Sequence, residues 1–145
     1  MPYNPPWLEI AQQELGVKEI SGPEAHPRII EYHSTTTYGA KSDEVDWCSA
    51  FVNWCMLKAG IDGTNSAAAK SWLNWGKGLS RPERGCIVVF DVPPPAEAWK
   101  GHVAFYVGES TTDAAFIRVL GGNQSNAVTE TGYSKSRILG YRWPA

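Results

Sequence analysis

A chain of 145 residues, 43% hydrophobic and 19% charged, has the length of one domain and the composition of a chain that folds, so a single unit over residues 1–145 is expected. Thirteen Lys and Arg against fifteen Asp and Glu give a net charge of -2, and no basic stretch is dense enough to follow a phosphate backbone, which excludes nucleic acid as a partner. No apolar run approaches the roughly 20 residues that a membrane-crossing helix needs, which excludes membrane insertion by that route.

The chain opens MPYNPPWLEI, without the basic and apolar segments of a signal peptide. Synthesis in the cytoplasm without an export signal is therefore expected. Pro5 and Pro6 start a helix over roughly residues 7–15, in which Trp7, Ile10, Ala11, Glu14 and Leu15 form a mostly apolar stripe and Gly16 is the stop. A second short helix runs from Pro27 to about Tyr32 with Ile29 and Ile30 inward. Ser34 to Val45 is polar, is broken by Gly39 and reads as a loop. Asp46 then precedes WCSAFVNWCMLKAG, a helix with Asp46 as its candidate cap and Gly60 just past Lys58 as its end. A further helix, Ala67 to Trp75, follows a polar turn.

After Gly85 the period changes from helical to strand. CIVVFDV, HVAFYVG, AAFIRVLGG, AVTETGY and RILGYRWP are short, rich in β-branched and aromatic residues, and separated by turn formers. Helices first and strands second give the α+β class, with N-terminal helices packed on a mainly antiparallel five-stranded sheet. VPPPAEAWKG, between the first two strands, is too long for a tight hairpin.

Three cysteines are too few for a disulfide framework. On one helix Cys48 and Cys55 would stand about 10.5 Å apart, beyond the roughly 7 Å that a disulfide spans. Cys48 falls in the first turn of its helix, where unpaired N–H groups and the positive end of the helix dipole favour a thiolate, the nucleophilic form. Cys55, two turns on beside Phe51, Val52 and Ala59, and Cys86, which opens an apolar strand, read as core thiols.

A catalytic cysteine needs a base, and there are three histidines. His26 and His33 lie in polar surroundings and read as surface residues. His102 begins a strand in which Val103, Phe105 and Val107 share one apolar face, while His102, Ala104 and Tyr106 share the other. A six-residue loop from Glu109 to Ala114 would pair Gly108 with Ala115 and His102 with Gly121, which brings Asn123 diagonally beside His102. Its amide oxygen could orient the imidazole, the task of the third group in Cys-His-Asn sites. A one-residue slip would bring Gln124 or Gly122 there instead. Asp43, Glu44 and Asp46 form an acidic cluster before Cys48 that could contribute to a calcium site, but its spacing is no EF-hand; a capping or solvated loop is the plainer reading, and no metal residue is assigned.

The ordered segments WLEIAQQELGVKEI, HPRIIEYH, DWCSAFVNWC, RGCIVVFD, GHVAFYVG, LGGNQSNAV and LGYRWP resemble a small member of the NlpC and CHAP superfamily, the papain-like cysteine hydrolases of peptidoglycan. The resemblance implies a papain-like fold, with Cys48 as nucleophile, His102 as base and Asn123 as the orienting residue. It implies cleavage of an amide in the wall peptide, as an endopeptidase or an N-acetylmuramoyl-L-alanine amidase, without a cofactor. Relatives often carry Asp where this chain has Cys86. A monomer acting on peptidoglycan is expected, met in some settings by an immunity or inhibitor protein. It would reach the wall or periplasm as a phage lysis enzyme released through a pore, or as an antibacterial effector delivered by a secretion machine. Trp47, Trp72, Trp75 and Trp99 are candidates to line the substrate groove, against core packing as the ordinary use of such rings. Two other classes stay open: a papain-like deamidase or transglutaminase toxin acting on protein, and a noncatalytic wall-binding module.

Overall fold

Pro5 and Pro6 start helix α1 (Pro6–Gln13), because a proline in the first turn has no N–H to leave unpaired. The structure, a computed structural model, describes residues 3–20, 26–37 and 46–145. In α1, Trp7, Leu8 and Ala11 are buried, whereas Leu15, expected on the inward stripe, lies past the helix end and is exposed. Glu14 is buried and accepts a 2.7 Å hydrogen bond from the Tyr32 hydroxyl and a 3.1 Å ion pair from Arg28. Tyr32 belongs to α2 (Pro27–His33), whose start is capped by the His26 ring, Nδ1 accepting from the Arg28 N–H at 3.1 Å. His33 corrects the sequence reading: it is fully buried, not at the surface. Its spacing explains this, since Ile29, Tyr32 and His33 stand on one side of the short helix.

Helix α3 (Cys48–Lys58) is buried from Cys48 through Met56. It packs on α1 and α2 on one side and on the sheet on the other, the situation of a helix apolar nearly all round. Its two buried polar residues are satisfied: the Ser49 hydroxyl donates to the Ser66 carbonyl at 2.7 Å, and Asn53 Oδ1 accepts from the Asn65 N–H at 2.9 Å. The helix expected over Ala67 to Trp75 is a 3-10 helix, Ala69–Asn74.

The sheet has strands β1 (Lys77–Leu79), β2 (Ile87–Asp91), β3 (Gly101–Glu109), β4 (Phe116–Gln124), β5 (Ala127–Ser134) and β6 (Ile138–Trp143), in the order β1-β6-β2-β3-β4-β5. Every pair is antiparallel. Six strands thus stand where five are expected. The extra one, β1, has no β-branched residue and joins through its backbone, Lys77 opposite Trp143. A short 3-10 helix, Lys135–Arg137, links β5 to β6. Among the described residues no helix is long and apolar enough to cross a membrane.

The alternation read from HVAFYVG holds. Val103 and Phe105 join the core under the helices with Leu8, Trp47, Phe51 and Trp72, and Ala104 and Tyr106 join a second cluster on the other face with Val88 and Phe90. The β3–β4 register differs from expectation. Phe105 pairs with Leu120 and Tyr106 with Val119, and after a bulge Gly108 pairs with Arg118. Continued, this pairing puts Ala104, not His102, opposite Gly121. The displacement at that end is two residues, which keeps the side chains up to Gly121 on their expected faces.

Gly122 lets β4 approach α3. A Cβ on Gly122 would stand 2.7 Å from the Trp47 ring and 2.9 Å from the Phe51 Cβ. Trp47 is fully buried and has no space to yield. We expect Gly122→Ala to lower stability by about 1–3 kcal/mol, seen as a lower Tm, while Gly108→Ala, with open space at that position, leaves it nearly unchanged.

Candidate active site

Cys48 is the first residue of α3, so its N–H and those of Ser49 and Ala50 have no partner within the helix. The preceding Trp47 is the N-cap residue and makes no side-chain cap. Asp46 does not cap the helix as expected; its carboxylate accepts from the Asn123 side-chain amide at 3.2 Å. Burial pushes the Cys48 thiol pKa up to about 11. The Val103 N–H pulls it back, the Asp46 charge pushes it further up, and the N–H groups of Ser49 and of Cys48 itself pull it back again. The Val103 contact matters for position, because it sets the sulfur against the β3 backbone immediately beside His102.

His102 Nε2 lies 2.9 Å from Gln124 Oε1. The amide of Gln124 is itself fixed: its Nε2 donates to the Thr129 carbonyl at 2.7 Å and to the Thr129 hydroxyl at 3.2 Å. A backbone carbonyl only accepts, so the amide nitrogen must face Thr129 and the oxygen must face the histidine. Nε2 of the imidazole therefore carries the proton, and Nδ1 keeps its lone pair as a base. Loss of hydration on burial lowers the His102 pKa from its ordinary value, against the opposing effects of Gln124 and Asp46.

Gln124 stands where the flat-strand register puts Asn123, and a bulge is the reason. Gly121 pairs with Thr129 but Gln124 with Ala127, one residue out of step. Asn123 takes up the extra residue in the left-handed region at φ 60°. The hairpin then closes through Ser125 and Asn126, at φ 55° and 62°, the two positive values that a two-residue type I′ turn requires. Gln124 thus returns to the face of Gly121 and His102. A Cβ on Gly121 would stand 2.9 Å from Gln124 Oε1 and 2.8 Å from the Ala104 Cβ; the missing side chain at Gly121 and the small one at Ala104 make room for the amide.

Two aromatic rings hold the imidazole in plane. Tyr133 of β5 stacks on it at 4.9 Å and 16°, and Phe90 of β2, directly opposite His102 in the ladder, lies at 6.0 Å and 30°. Neither was singled out from sequence: Tyr133 comes from a strand two removed from His102 in the sheet order, a contact that no local pattern announces.

A family model of the CHAP domain matches residues 40–123. The chain belongs to the CHAP domain family. The match takes in Cys48 and His102 and ends at Asn123, one residue short of Gln124. Among solved structures this CHAP domain is similar to a protein from Staphylococcus aureus subsp. aureus Mu50 described as similar to lipoprotein, NLP/P60 family. The TM-score is 0.59 at 15% identity, over 100% of this chain and 44% of that one. The likeness is one of fold, and the chain spans less than half the length of that protein. No curated protein sequence matches it.

The tryptophans expected to line the groove divide sharply. Trp47 and Trp72 are fully buried and cannot meet a substrate; their indole N–H groups donate to Glu19 at 3.0 Å and to the Ser49 hydroxyl at 2.9 Å. Trp75 packs edge-on against Trp72, its indole N–H donating to the Asp62 carbonyl at 3.0 Å. Trp99, in the proline-rich β2–β3 connection, is 65% exposed. Of the acidic cluster, Asp43 and Glu44 lie outside the described residues, and among the described residues no group of three His, Cys, Asp or Glu is placed to hold a metal ion.

With the thiol pKa raised and the imidazole pKa lowered by burial, a neutral thiol beside a neutral imidazole is the expected resting state. Alkylation of Cys48 by iodoacetamide should then climb about tenfold per pH unit between about pH 7 and 9, because only the thiolate reacts. A plateau of fast alkylation reaching below pH 6 would instead reveal a preformed thiolate and imidazolium pair and overturn this expectation.

Proposed function

We propose that this CHAP domain hydrolyses an amide bond in the peptide of peptidoglycan, with Cys48 as nucleophile, His102 as general base and acid, and Gln124 as the residue that orients His102. The observation that carries the reading is the tautomer of His102 set by Gln124, which leaves Nδ1 basic on the residue next to Val103, whose backbone N–H meets the Cys48 sulfur at a helix start. In the first step the Cys48 sulfur bonds to the carbonyl carbon as its proton passes to His102 Nδ1. The oxyanion meets the N–H of Cys48 at the start of α3, which has no partner within the helix. The imidazolium then protonates the leaving amine as the C–N bond breaks. His102 next takes a proton from water as the water attacks the thioester, and the imidazolium returns that proton to the departing sulfur, which releases the acid and restores the thiol.

Membership in the CHAP family supports a wall substrate, and the fold shared with an NLP/P60 protein agrees with it. Digestion of purified sacculi followed by mass spectrometry tests the reading. New amine and carboxyl ends are expected, and their masses separate an endopeptidase from an amidase at the sugar–peptide bond. Sacculi that yield no new ends would sink it. We extend the reading to a bacteriolytic role, as a phage lysis enzyme or a delivered effector, for which loss of turbidity of outer-membrane-permeabilised cells is the corresponding measurement.

A further inference from the structure

This inference rests on the hydrolase reading and concerns what the same site selects. Beside His102 lies a cavity of about 320 Å³, walled by the β2–β3 connection, Tyr133 and the 3-10 helix after β5. Its lining carries Asp46, Asp91, Lys100 and Arg137 in addition to His102. Both carboxylates are engaged. Asp91 pairs with Lys70 at 3.1 Å, and the Lys70 ammonium also donates to the Ala98 carbonyl. Asp46 accepts from Asn123 at 3.2 Å and acts on both Cys48 and His102, so it belongs to the nucleophile end of the cavity.

The cations are in a different position. Among the described residues neither Lys100 nor Arg137 has an ion-pair partner. The Lys100 ammonium stands 5.6 Å over the Trp99 ring, which leaves its hydrogen-bonding capacity unused. Arg137 shares the cavity lining with Tyr133, the ring that stacks on His102, and its charge acts on the Tyr133 hydroxyl. With Asp91 paired to Lys70, Lys100 and Arg137 are the two cations of the lining that have no ion-pair partner among the described residues.

We propose that this cavity binds a free carboxylate on a residue flanking the scissile amide, held by Lys100 and Arg137, so that the domain selects acidic stem peptides over their carboxamides. A carboxylate offers the guanidinium two charge-assisted hydrogen bonds; a carboxamide offers one neutral acceptor and sets an NH₂ group against two cations. Because both cations are partly solvated, the selection is modest and weakens with salt.

The first test compares native sacculi with sacculi whose carboxylates have been converted to carboxamides by carbodiimide and ammonia. Native wall should be cut with a kcat/KM about tenfold higher, the size of one charge-assisted contact. In the double variant Lys100→Met, Arg137→Gln the preference should collapse to about twofold through KM, with kcat retained. The second test needs no turnover: calorimetry of Cys48→Ala with the tripeptide L-Ala-γ-D-Glu-L-Lys and with its isoglutamine form. Tighter binding of the acid, lost in the background of the double variant, is expected. Equal binding, no binding of either, or a preference that survives in the double variant overturns the proposal. Failure to cut either sacculus while the acid still binds more tightly would count against the hydrolase reading and leave the carboxylate site standing.

Discussion

Cys48→Ala is expected to lower muropeptide release from sacculi by at least about 10⁴-fold, the scale seen when a nucleophile is removed, while Cys55→Ala and Cys86→Ala keep kcat within about threefold. All three thiols are buried, and burial raises each pKa, Cys86 to about 12. Burial alone therefore does not single out Cys48. Position does. Cys48 is the one at a helix start, with N–H groups of Val103, Ser49 and its own backbone turned to the sulfur. Cys55 lies two turns deeper in the same helix, is fully buried, and has only the Glu14 charge acting on it besides burial. Cys86 belongs to the cluster on the far face of the sheet. Its two replacements should act on stability, by about 1–2 kcal/mol each for a small cavity in a packed core, and so shift Tm by a few degrees. Equal loss of turnover in all three variants would refute the assignment of Cys48.

Where local pattern decides geometry, the sequence could be read directly. The first-turn place of Cys48 follows from the apolar run that begins there and the glycine that ends it, and the face of His102 follows from strict alternation in HVAFYVG. What escaped reading depends on contacts between distant segments. Trp47 looks like an exposed groove residue beside a polar loop, yet it is buried because Gly122 of β4 and Tyr32 of α2 pack on its ring. The surplus of tryptophan, seven in 145 residues, has the same explanation. Several indoles tie remote pieces of chain together: Trp7 donates to the Gly85 carbonyl at 2.7 Å, Trp54 to Glu31 at 2.6 Å and Trp72 to Ser49 at 2.9 Å. Each closes a long loop with an apolar body and one polar atom. The strand β1 escaped because a three-residue edge held by backbone pairing has no side-chain signature.

The third residue of the site is the sharpest case, and it sets the second large expected effect. A flat strand would bring Asn123 beside His102, but a residue at positive φ is what forms a bulge, and Asn is among the few side chains that accept it readily. The feature that makes Asn123 a turn former thus removes it from the position it was expected to fill and moves Gln124 there. Gln124→Ala should cost about 10²–10⁴-fold in kcat/KM, the range for losing the group that fixes the tautomer of a catalytic histidine. Asn123→Ala loses one partly exposed hydrogen bond to Asp46 and should stay within about threefold. Gln124→Glu separates orientation from charge. The carboxylate still accepts from Nε2, yet its charge favours the imidazolium and raises the His102 pKa. The acid limb of the kcat/KM profile, expected below the ordinary histidine value of 6.5 in the native protein because burial lowers the His102 pKa, should then move to higher pH, so activity falls more steeply at pH 6 than at pH 8. If Asn123→Ala proves the more damaging change and Gln124→Glu leaves the acid limb in place, the orienting group is the asparagine and the bulge is remodelled when substrate binds.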